Sequence, residues 1–425
     1  MLFAPSKSIA VFFLTLFLIC APFQLSAQSS DSFLKKTTAQ NIAEDDLSGE
    51  DRVIRAAAVE ALGTAAGTIV VMNAQTGRVY SIVNQEWAIS QGFKPCSTIK
   101  LVTAVGGITE NLIHSNGDLR IDSHRLDLND ALAFSNNTYF QKVGANLGSA
   151  RMIEYAKTLG LGQITGINAE DEFAGKLPYG NENLRIYSHA DDFEVTPLQL
   201  AVMVSALTNG GKVLVPQIVK TDYRKASFRG YLNRYLNIEP TLYERVIPGM
   251  VGAVNYGTAK RINDKKRRIA GKTGSCIFDN TWIGLFASVA PIRDPKFSVV
   301  VITRGKYARG KYSAAIAGKI YKVLESRFDE RFERALARKS PAKNAKSRGT
   351  LTVASAGKEA RKPRPTTRTA PPPRIENTVI TYRKDPDAAK HPPLKSGDSI
   401  KNERKPVTLI VNGKPEIVRP RVVNN

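Results

Sequence analysis

A serine and a lysine three positions apart are the residues of this chain whose types and spacing most clearly suit a chemical reaction. Ser97 and Lys100 stand in the stretch FKPCSTIK, and residues at this spacing share one face of a helix. A neutral lysine amine can take the proton of a serine hydroxyl and make the oxygen a nucleophile. The pairing alone is a weak signal, because Ser-x-x-Lys also begins at Ser32, Ser340 and Ser355, which all lie in polar segments.

Two further motifs follow Ser97 in apolar surroundings. Ser135 and Asn137 belong to a Ser-Asn-Asn triplet after the sequence LAF, and residues 272–274 are Lys-Thr-Gly. Three short signals in this order match the set used by penicillin-binding proteins and by the serine β-lactamases related to them. The chain therefore resembles a penicillin-binding transpeptidase domain.

The resemblance extends over residues 67–304. Residues 67–80 look like the opening hairpin of that family, and residues 195–201 like the start of a helix after its central segment. Residues 282–287 and 294–301 resemble its closing strands. The implied fold is α/β in the mixed α+β sense, a β-lactamase-like central antiparallel sheet flanked by helices, with a helical subdomain.

The resemblance also implies a role for each polar residue of the first two motifs. Ser97 would attack the substrate and carry the acyl-enzyme, and Lys100 would be its base. A base of this kind must be partly neutral, which burial and a second nearby cation, Lys272, would favour. Ser135 would relay a proton to the leaving amine, and Asn137 would hold the substrate amide.

In the third motif the resemblance implies contacts with the substrate. Lys272 and Thr273 would bind the terminal carboxylate of a D-alanyl-D-alanine stem peptide, and charge-assisted hydrogen bonds suit that role. Gly274 lacks a side chain, so a substrate backbone can lie beside an edge strand at this point. The backbone N–H of Ser275 would complete an oxyanion hole. The expected partners are thus peptidoglycan stem peptides, with β-lactam antibiotics as covalent inhibitors.

One segment departs from the family pattern. Residues 188–194 form a polar, acidic run where relatives usually have glycines. The segment borders the cleft in relatives, so the substrate preference is open. Asp191 and Asp192 are either an ordinary solvated turn or determinants of specificity.

Three other functions remain open at this point. A D,D-carboxypeptidase would use water on the same acyl-enzyme. A serine β-lactamase would need an activated water, for which Glu170 and Glu172 are candidates because they follow the second motif at a suitable distance. A non-catalytic β-lactam sensor or wall-binding module would not need intact motifs.

The two cysteines beyond the N-terminal segment flank Ser97 and Ser275, whose backbone N–H groups are the candidate oxyanion donors. Cys96 directly precedes Ser97, and Cys276 directly follows Ser275. Because two oxyanion donors must converge on one atom, their neighbours should be close, and an oxidising compartment would allow a disulfide. The alternative is that both are small buried residues.

Local patterns predict the elements that carry these residues. The predicted helices are residues 51–62, 97–112, 198–209 and 312–334, with helical periodicity across 128–161. The predicted strands are a hairpin at 67–83 and three successive strands at 268–277, 281–289 and 297–304.

The termini differ in character from this central part. Residues 1–27 carry a lysine, a short apolar run and Leu-Ser-Ala, which predicts a secretory signal cleaved after Ala27 rather than an uncleaved anchor. Residues 28–50 are polar and acidic and are predicted to be a linker. The transpeptidase domain is predicted at 51–336, and a basic, proline-rich, disordered tail at 337–425. The expected location is the periplasm or the outer face of the cytoplasmic membrane.

The net charge of +23 is concentrated in the tail. A basic protein would normally indicate nucleic acid, but export argues against that partner. The tail would instead contact anionic wall polymers or the membrane surface, or serve only solubility. Residues 408–414 resemble the start of a short hairpin. The four histidines lack ligand spacing and no phosphate-binding loop follows a strand, so neither a metal nor another cofactor is expected.

Overall fold

The computed structural model describes residues 30–120, 123–264 and 268–328, together with two short strands near the C-terminus. The chain divides into two compact units, Met1–Ala345 and Lys346–Asn425. The predicted signal segment, most of the predicted tail and the boundary between domain and tail lie outside the described residues.

A six-stranded sheet is the centre of the first unit. Its strands are β1 (Ala66–Asn73), β2 (Arg78–Val83), β4 (Gln217–Ile218), β6 (Ala270–Phe278), β7 (Thr281–Ala290) and β8 (Phe297–Arg304). Their order in the sheet is β4-β2-β1-β8-β7-β6, and every neighbouring pair is antiparallel except β2 with β4. The strand β6, which carries Lys-Thr-Gly, lies at one edge. A separate pair, β3 (Lys212–Val215) and β5 (Tyr231–Tyr235), is antiparallel.

The helices cover both faces of the sheet. They are α1 (residues 30–44), α2 (Arg52–Leu62), α3 (Lys100–Thr109), α4 (Leu128–Ala133), α5 (Asn137–Leu147), α6 (Ser149–Thr158), α7 (Ile186–His189), α8 (Pro197–Ala206), α9 (Asp222–Ser227), α10 (Pro240–Tyr243), α11 (Ile247–Asn255) and α12 (Gly310–Phe328). Short 3-10 turns occupy Cys96–Ile99, Glu244–Val246 and Lys260–Ile262, and a π-helical turn occupies Glu86–Ser90.

The central strands are apolar along their whole length because both of their faces are buried. In β8, Val299 and Val301 pack with α2 and α12, whereas Val300 and Ile302 pack with α8 and the helices around α3. Successive strand residues point to opposite faces, so the two sets enter different cores. The predicted mixed fold with a central sheet and a helical subdomain is confirmed.

The turn between β6 and β7 explains the register of the edge strand. Asp279 and Asn280 both adopt left-handed backbone angles, with φ of 45° and 57°. A two-residue loop of this kind matches the twist of an antiparallel hairpin. The pairing that results sets Lys272 opposite Ala287 and Ser275 opposite Gly284.

Helix α3 lies at the centre of the helical subdomain. Its residues from Lys100 to Ile108 are all buried, and it packs against α5 and α6. Gly107 permits the close approach of α5, because a β-carbon there would collide with the side chain of Val143. The helix thus places Lys100 at its N-terminal end inside the protein, directly after the 3-10 turn that carries Ser97.

The predicted linker at residues 28–50 is wrong for most of its length. Residues 30–44 form α1, whose Leu34 joins the main core and whose Thr38 hydroxyl accepts a hydrogen bond from the backbone N–H of Gly67 at 3.3 Å. After α1, the Asp45 carboxylate accepts hydrogen bonds from two backbone N–H groups after β2. The folded domain therefore includes this segment.

The second unit contains one described feature. The strand β9 (Val407–Val411) pairs antiparallel with β10 (Lys414–Val418). This confirms the predicted hairpin start at 408–414 and corrects the prediction that the whole of 337–425 is disordered. Within the described residues of the chain, no helix is both long and apolar enough to cross a bilayer.

Candidate active site

Ser97 lies where the 3-10 turn meets α3, half-buried on the wall of a cavity of about 500 Å³. Its Oγ accepts a hydrogen bond from the Nζ of Lys100 at 3.0 Å and lies 3.4 Å from the carbonyl oxygen of Ser188. The preceding residue, Cys96, has a positive φ of 47°, which turns the chain sharply into the helix. The serine that the sequence singled out thus contacts its expected lysine.

Lys100 is fully buried and sits among polar oxygens. Its Nζ is 2.7 Å from the carbonyl oxygen of Ser135, 3.1 Å from Ser135 Oγ and 2.6 Å from Asn137 Oδ1. Burial, and next the charge of Lys272, lower the pKa of Lys100 to about 6. An amine with this pKa is largely neutral at pH 7 and can accept a proton.

Ser135 links the two lysines. Its Oγ is 2.8 Å from the Nζ of Lys272 and 3.1 Å from the Nζ of Lys100. The residue has a left-handed φ of 57° between α4 and α5, and Asn136 caps α5 by accepting a hydrogen bond from the N–H of Tyr139. Because Asn136 supplies the cap, the Ser135 hydroxyl remains directed at the amines.

The edge strand β6 forms the opposite wall. Lys272 is fully buried there, and burial lowers its pKa to about 7. The Thr273 hydroxyl contacts that of Thr258 at 2.6 Å, and Ser275 Oγ accepts a hydrogen bond from the N–H of Gly310 at 2.8 Å. Both residues of the strand are thereby fixed in position beside the cavity.

Gly274 lets this strand approach the turn that carries Ser97. A β-carbon at Gly274 would lie 3.1 Å from the carbonyl oxygen of Pro95 and 3.2 Å from the β-carbon of Cys96, tighter than ordinary contacts. The close approach allows a disulfide between Cys96 and Cys276, whose α-carbons are 5.8 Å apart. The disulfide that was one of two alternatives from sequence is therefore present.

The unusual segment 188–194 borders the site. Asp191 forms ion pairs with Lys94 and Arg185, and the Arg185 contact is 2.7 Å. Asp192 accepts a hydrogen bond from the side chain of Asn181 at 2.6 Å. Asp191 is therefore an ion-pair partner of two basic side chains rather than a free solvated turn residue.

His189 is a neighbour of the site that sequence reasoning missed. Its Nε2 lies 3.4 Å from Asn137 Nδ2, and its Nδ1 is 2.8 Å from the Ser188 hydroxyl. Burial, followed by the charges of Arg185 and Lys100, lowers its pKa. The departure from the family pattern in this segment was the only sequence signal that could have indicated it.

The two glutamates considered for water activation do not reach the cavity. Glu172 accepts hydrogen bonds from Thr165 and from the backbone N–H of Gly166, at 2.6 to 3.0 Å. Glu170 is exposed, and neither residue lines the cavity. Among the residues described, no group of three or more His, Cys, Asp or Glu side chains is placed to hold a metal ion.

The arrangement combines the Ser97 hydroxyl, the buried amine of Lys100, the bridging hydroxyl of Ser135 and the edge strand β6. Such a set can activate serine for attack on an acyl carbon and pass the proton to a leaving group. The family model for the penicillin binding protein transpeptidase domain matches residues 67–322, more than half of the chain. The protein belongs to this family.

Curated relatives share about a quarter of their aligned residues with the chain. The peptidoglycan D,D-transpeptidase MrdA of Haemophilus influenzae is 27% identical over 292 residues, covering 55% of this chain and 44% of that protein. The peptidoglycan D,D-transpeptidase FtsI of Escherichia coli is 25% identical over 304 residues, covering 60% and 50%. The chain thus spans about half the length of the relatives it matches.

A solved structure shows the same fold. The transpeptidase domain of Burkholderia pseudomallei penicillin-binding protein 3 superposes with a TM-score of 0.57 at 20% identity. The match covers 67% of this chain and 97% of that domain. The central sheet and its helical subdomain are therefore those of a penicillin-binding transpeptidase domain.

Proposed function

We propose that this protein is a peptidoglycan D,D-transpeptidase that acts on D-alanyl-D-alanine stem peptides through an acyl-enzyme on Ser97. The observation that carries the proposal is the 3.0 Å contact between Ser97 Oγ and the Nζ of a fully buried Lys100, whose pKa lies near 6. An ordinary surface lysine would hold its proton at neutral pH, whereas this one can serve as a base.

Acylation would begin with transfer of the Ser97 proton to Lys100 Nζ. The serine oxygen attacks the carbonyl carbon of the penultimate D-alanine, and the carbonyl oxygen becomes an oxyanion. The backbone N–H groups of Ser97 and Ser275 are the proposed donors to that oxyanion. When the tetrahedral intermediate collapses, the C–N bond breaks and the terminal D-alanine leaves as an amine.

The leaving amine needs a proton, and the path for it is short. Ser135 Oγ lies between the two amines, at 3.1 Å from Lys100 and 2.8 Å from Lys272. The proton taken by Lys100 can thus pass through the Ser135 hydroxyl to the departing nitrogen. The base then returns to its neutral form for the second half of the reaction.

Binding of the donor would use both walls of the cavity. Lys272 and Thr273 on β6 are proposed to hold the terminal carboxylate, and the peptide backbone is proposed to pair with the edge of this strand. Asn137, exposed at the start of α5, is proposed to hold the substrate amide. β-Lactams would enter the same site and acylate Ser97.

The second half-reaction separates the competing functions. Hydrolysis needs a base that activates water near the ester, and Glu172 is committed to Thr165 and Gly166. This supports transfer of the acyl group to an amine acceptor over hydrolysis by a β-lactamase. A D,D-carboxypeptidase would release D-alanine from a pentapeptide without forming a cross-linked product, so identifying the products formed from a pentapeptide and an amine acceptor distinguishes the two enzymes.

The remaining predictions on location and tail belong to this proposal. A cleaved signal at 1–27 would export the protein, and the disulfide between Cys96 and Cys276 is compatible with an oxidising compartment. Outside the cytoplasm the basic tail would meet anionic wall polymers or lipid head groups and no nucleic acid.

Labelling with a fluorescent penicillin tests the proposal directly. One acyl group should form on the native protein, on the tryptic peptide 79–100 after reduction, and the adduct should persist. Ser97→Ala should abolish the label, while Ser149→Ala, a serine at the start of α6, should label normally. Labelling that survives Ser97→Ala contradicts the assignment, and loss of the adduct within seconds favours a β-lactamase.

A further inference from the structure

The outer wall of the active-site cavity carries a concentration of positive charge that the proposed reaction does not use. Lys260, Arg261, Arg309 and Lys311 all line the cavity beside Thr273, and no Asp or Glu lines it among the described residues. None of these four side chains forms an ion pair with any other described residue. We call these four residues the basic rim.

Two separate elements bring the rim together. Lys260 and Arg261 belong to the 3-10 turn after α11, whereas Arg309 and Lys311 flank Gly310 at the start of α12. The N–H of Gly310 donates to Ser275 Oγ at 2.8 Å, so the second pair is attached to the strand that bears the proposed oxyanion donor. The rim is therefore part of the wall of the site rather than a remote surface patch.

Aromatic rings hold three of the four cations in place. The Arg309 guanidinium lies 3.3 Å from the centre of the Trp282 ring. Arg261 and Lys311 lie 4.8 Å and 5.2 Å from the centre of the Tyr312 ring. Stacking of this kind orients a cation without neutralising its charge. The positive charge thus stays available to an anionic ligand.

The amount of charge exceeds what a single substrate carboxylate needs. Lys272 and Thr273 are already assigned to the terminal carboxylate of the donor peptide, yet four more cations line the same cavity. Clustered like charges repel one another, and a cleft of one sign concentrates ligands of the other sign. The protein's own tail is basic, so it cannot supply the missing negative charge.

We propose that the basic rim is a binding subsite for the acyl acceptor and that it selects amine peptides bearing two or more carboxylates. This inference rests on the proposed transpeptidase function, since the acceptor must enter where the leaving amine departed. A cavity of about 500 Å³ fits a short peptide better than a long polymer. The carboxylates would lie on the rim while the amine faces the Ser97 ester.

Direct binding to the Ser97→Ala protein tests the subsite without relying on turnover. The probes are acetyl-Ala-Glu-Lys, with two carboxylates and a free amine, and the matched diamide acetyl-Ala-Gln-Lys-amide, compared by NMR titration. We expect the dicarboxylate to bind about tenfold more tightly, as two exposed ion pairs allow. The preference should fade in about 0.5 M salt, where screening is strong.

Reversing the charge of two rim residues tests whether the rim causes the preference for the dicarboxylate. Adding Lys260→Glu and Lys311→Glu together should remove most of the preference for the dicarboxylate, since only the site at Lys272 and Thr273 for one carboxylate remains. The matched control, Lys319→Glu with Lys322→Glu, changes the net charge equally on the exposed side of α12 and should leave the preference intact. Thermal melting of all variants, and the neutral pair Lys260→Gln with Lys311→Gln, exclude misfolding as the cause of a loss.

Several results would overturn the subsite. Equal affinity of the Ser97→Ala protein for both probes would show that the site does not select carboxylates. An equal loss of dicarboxylate affinity in the rim variant and in the control variant would show that only the net charge of the protein matters. Rim-dependent binding of poly(glycerol phosphate) without a peptide preference would assign the rim to a wall polymer. Failure of the proposed function appears separately, as absence of penicillin acylation on native Ser97, and does not alter these binding measurements.

Discussion

Two buried amines meet at one hydroxyl, and burial is the main cause of the lowered pKa of each amine. Lys100 and Lys272 are both fully buried, and each contacts Ser135 Oγ. Neither forms an ion pair with a carboxylate in the described part of the chain. Burial therefore favours the neutral form of both amines, and the second positive charge would be harder to add than the first.

The pH dependence of acylation should report this arrangement. The proposed base must be neutral, and burial and the charge of Lys272 lower the pKa of Lys100 to about 6. At saturating penicillin, where the affinity for the carboxylate no longer limits the rate, acylation should therefore become faster as the pH rises through about 6 and level off above it. Stopped-flow acylation over a pH series measures the profile.

A variant separates the two causes of the lowered pKa. Lys272→Met removes the neighbouring charge while keeping the bulk, so the midpoint of the profile should move to higher pH, in addition to any loss of affinity. A profile whose midpoint stays unchanged would show that burial alone sets the pKa.

The disulfide beside the nucleophile should influence the same rate. Cys96 and Cys276 join the turn before Ser97 to the residue after Ser275, the two proposed oxyanion donors. Replacing both cysteines with serine should slow acylation by about tenfold, less than the 100-fold or greater loss expected when a donor is removed. Reductant should slow the native protein similarly and leave the double variant unaffected; an equal response of both proteins would contradict the idea.

At the scale of elements, the N-terminal segment contributes a buried charge cluster. The Arg55 guanidinium of α2 contacts the Asp45 carboxylate at 2.6 Å and the Glu50 carboxylate at 3.5 Å, and the carboxylates are almost fully buried. Glu50 also accepts hydrogen bonds from Ser81 and from the N–H of Ile82. These contacts fasten the segment before α2 to the sheet.

Removal of the Arg55 guanidinium should lower the stability of the protein. Arg55→Met leaves two buried carboxylates without their partner, so the free energy of unfolding should fall by about 3–5 kcal/mol. Urea denaturation measures the loss. Arg52→Met, at an exposed position of the same helix, is the control and should change stability little. Similar losses in both variants would mean that the cluster contributes nothing specific.

Sequence patterns predicted the long elements and missed the short ones for a physical reason. The strands β6, β7 and β8 are continuous apolar runs with clear turns, so consecutive apolar residues in the sequence indicate that they are buried. By contrast, β4 has two residues and β5 is largely exposed, so neither has a hydrophobic pattern. The segment of α1 looked like a linker because its attachment depends mainly on polar contacts made to distant residues.

In the candidate site, too, some residues could be predicted from the sequence and others could not. Ser97, Lys100, Ser135 and Lys272 could be found because short motifs of fixed order surround them. The contact of His189 with Asn137 could not, since it joins residues 52 positions apart without a motif. The basic rim likewise depends on the 3-10 turn after α11 and the start of α12, which lie about 50 positions apart in the sequence and are brought together only by the fold.

At the scale of the whole molecule, the described residues that line the cavity all belong to the first unit. The residues that line it run from Ser97 to Lys311, all before the predicted tail. A chain that ends at Leu336 should therefore be acylated by penicillin at the rate of the full protein. The comparison uses equal concentrations of the two proteins and the same fluorescent penicillin; a marked loss of rate in the shorter chain would mean that the tail supports the site.

The link between Cys96 and Cys276 also closes a loop across most of the domain. The two residues are 180 positions apart, and closing a loop of this length reduces the entropy of the unfolded chain, a stabilisation of roughly 5 kcal/mol in the chain-entropy account. The exposed stretch at residues 182–185 lies inside this loop. A protease that cuts there once would separate Ser97 from Lys272 in the sequence, yet the two fragments would remain one covalent molecule until a reductant arrived.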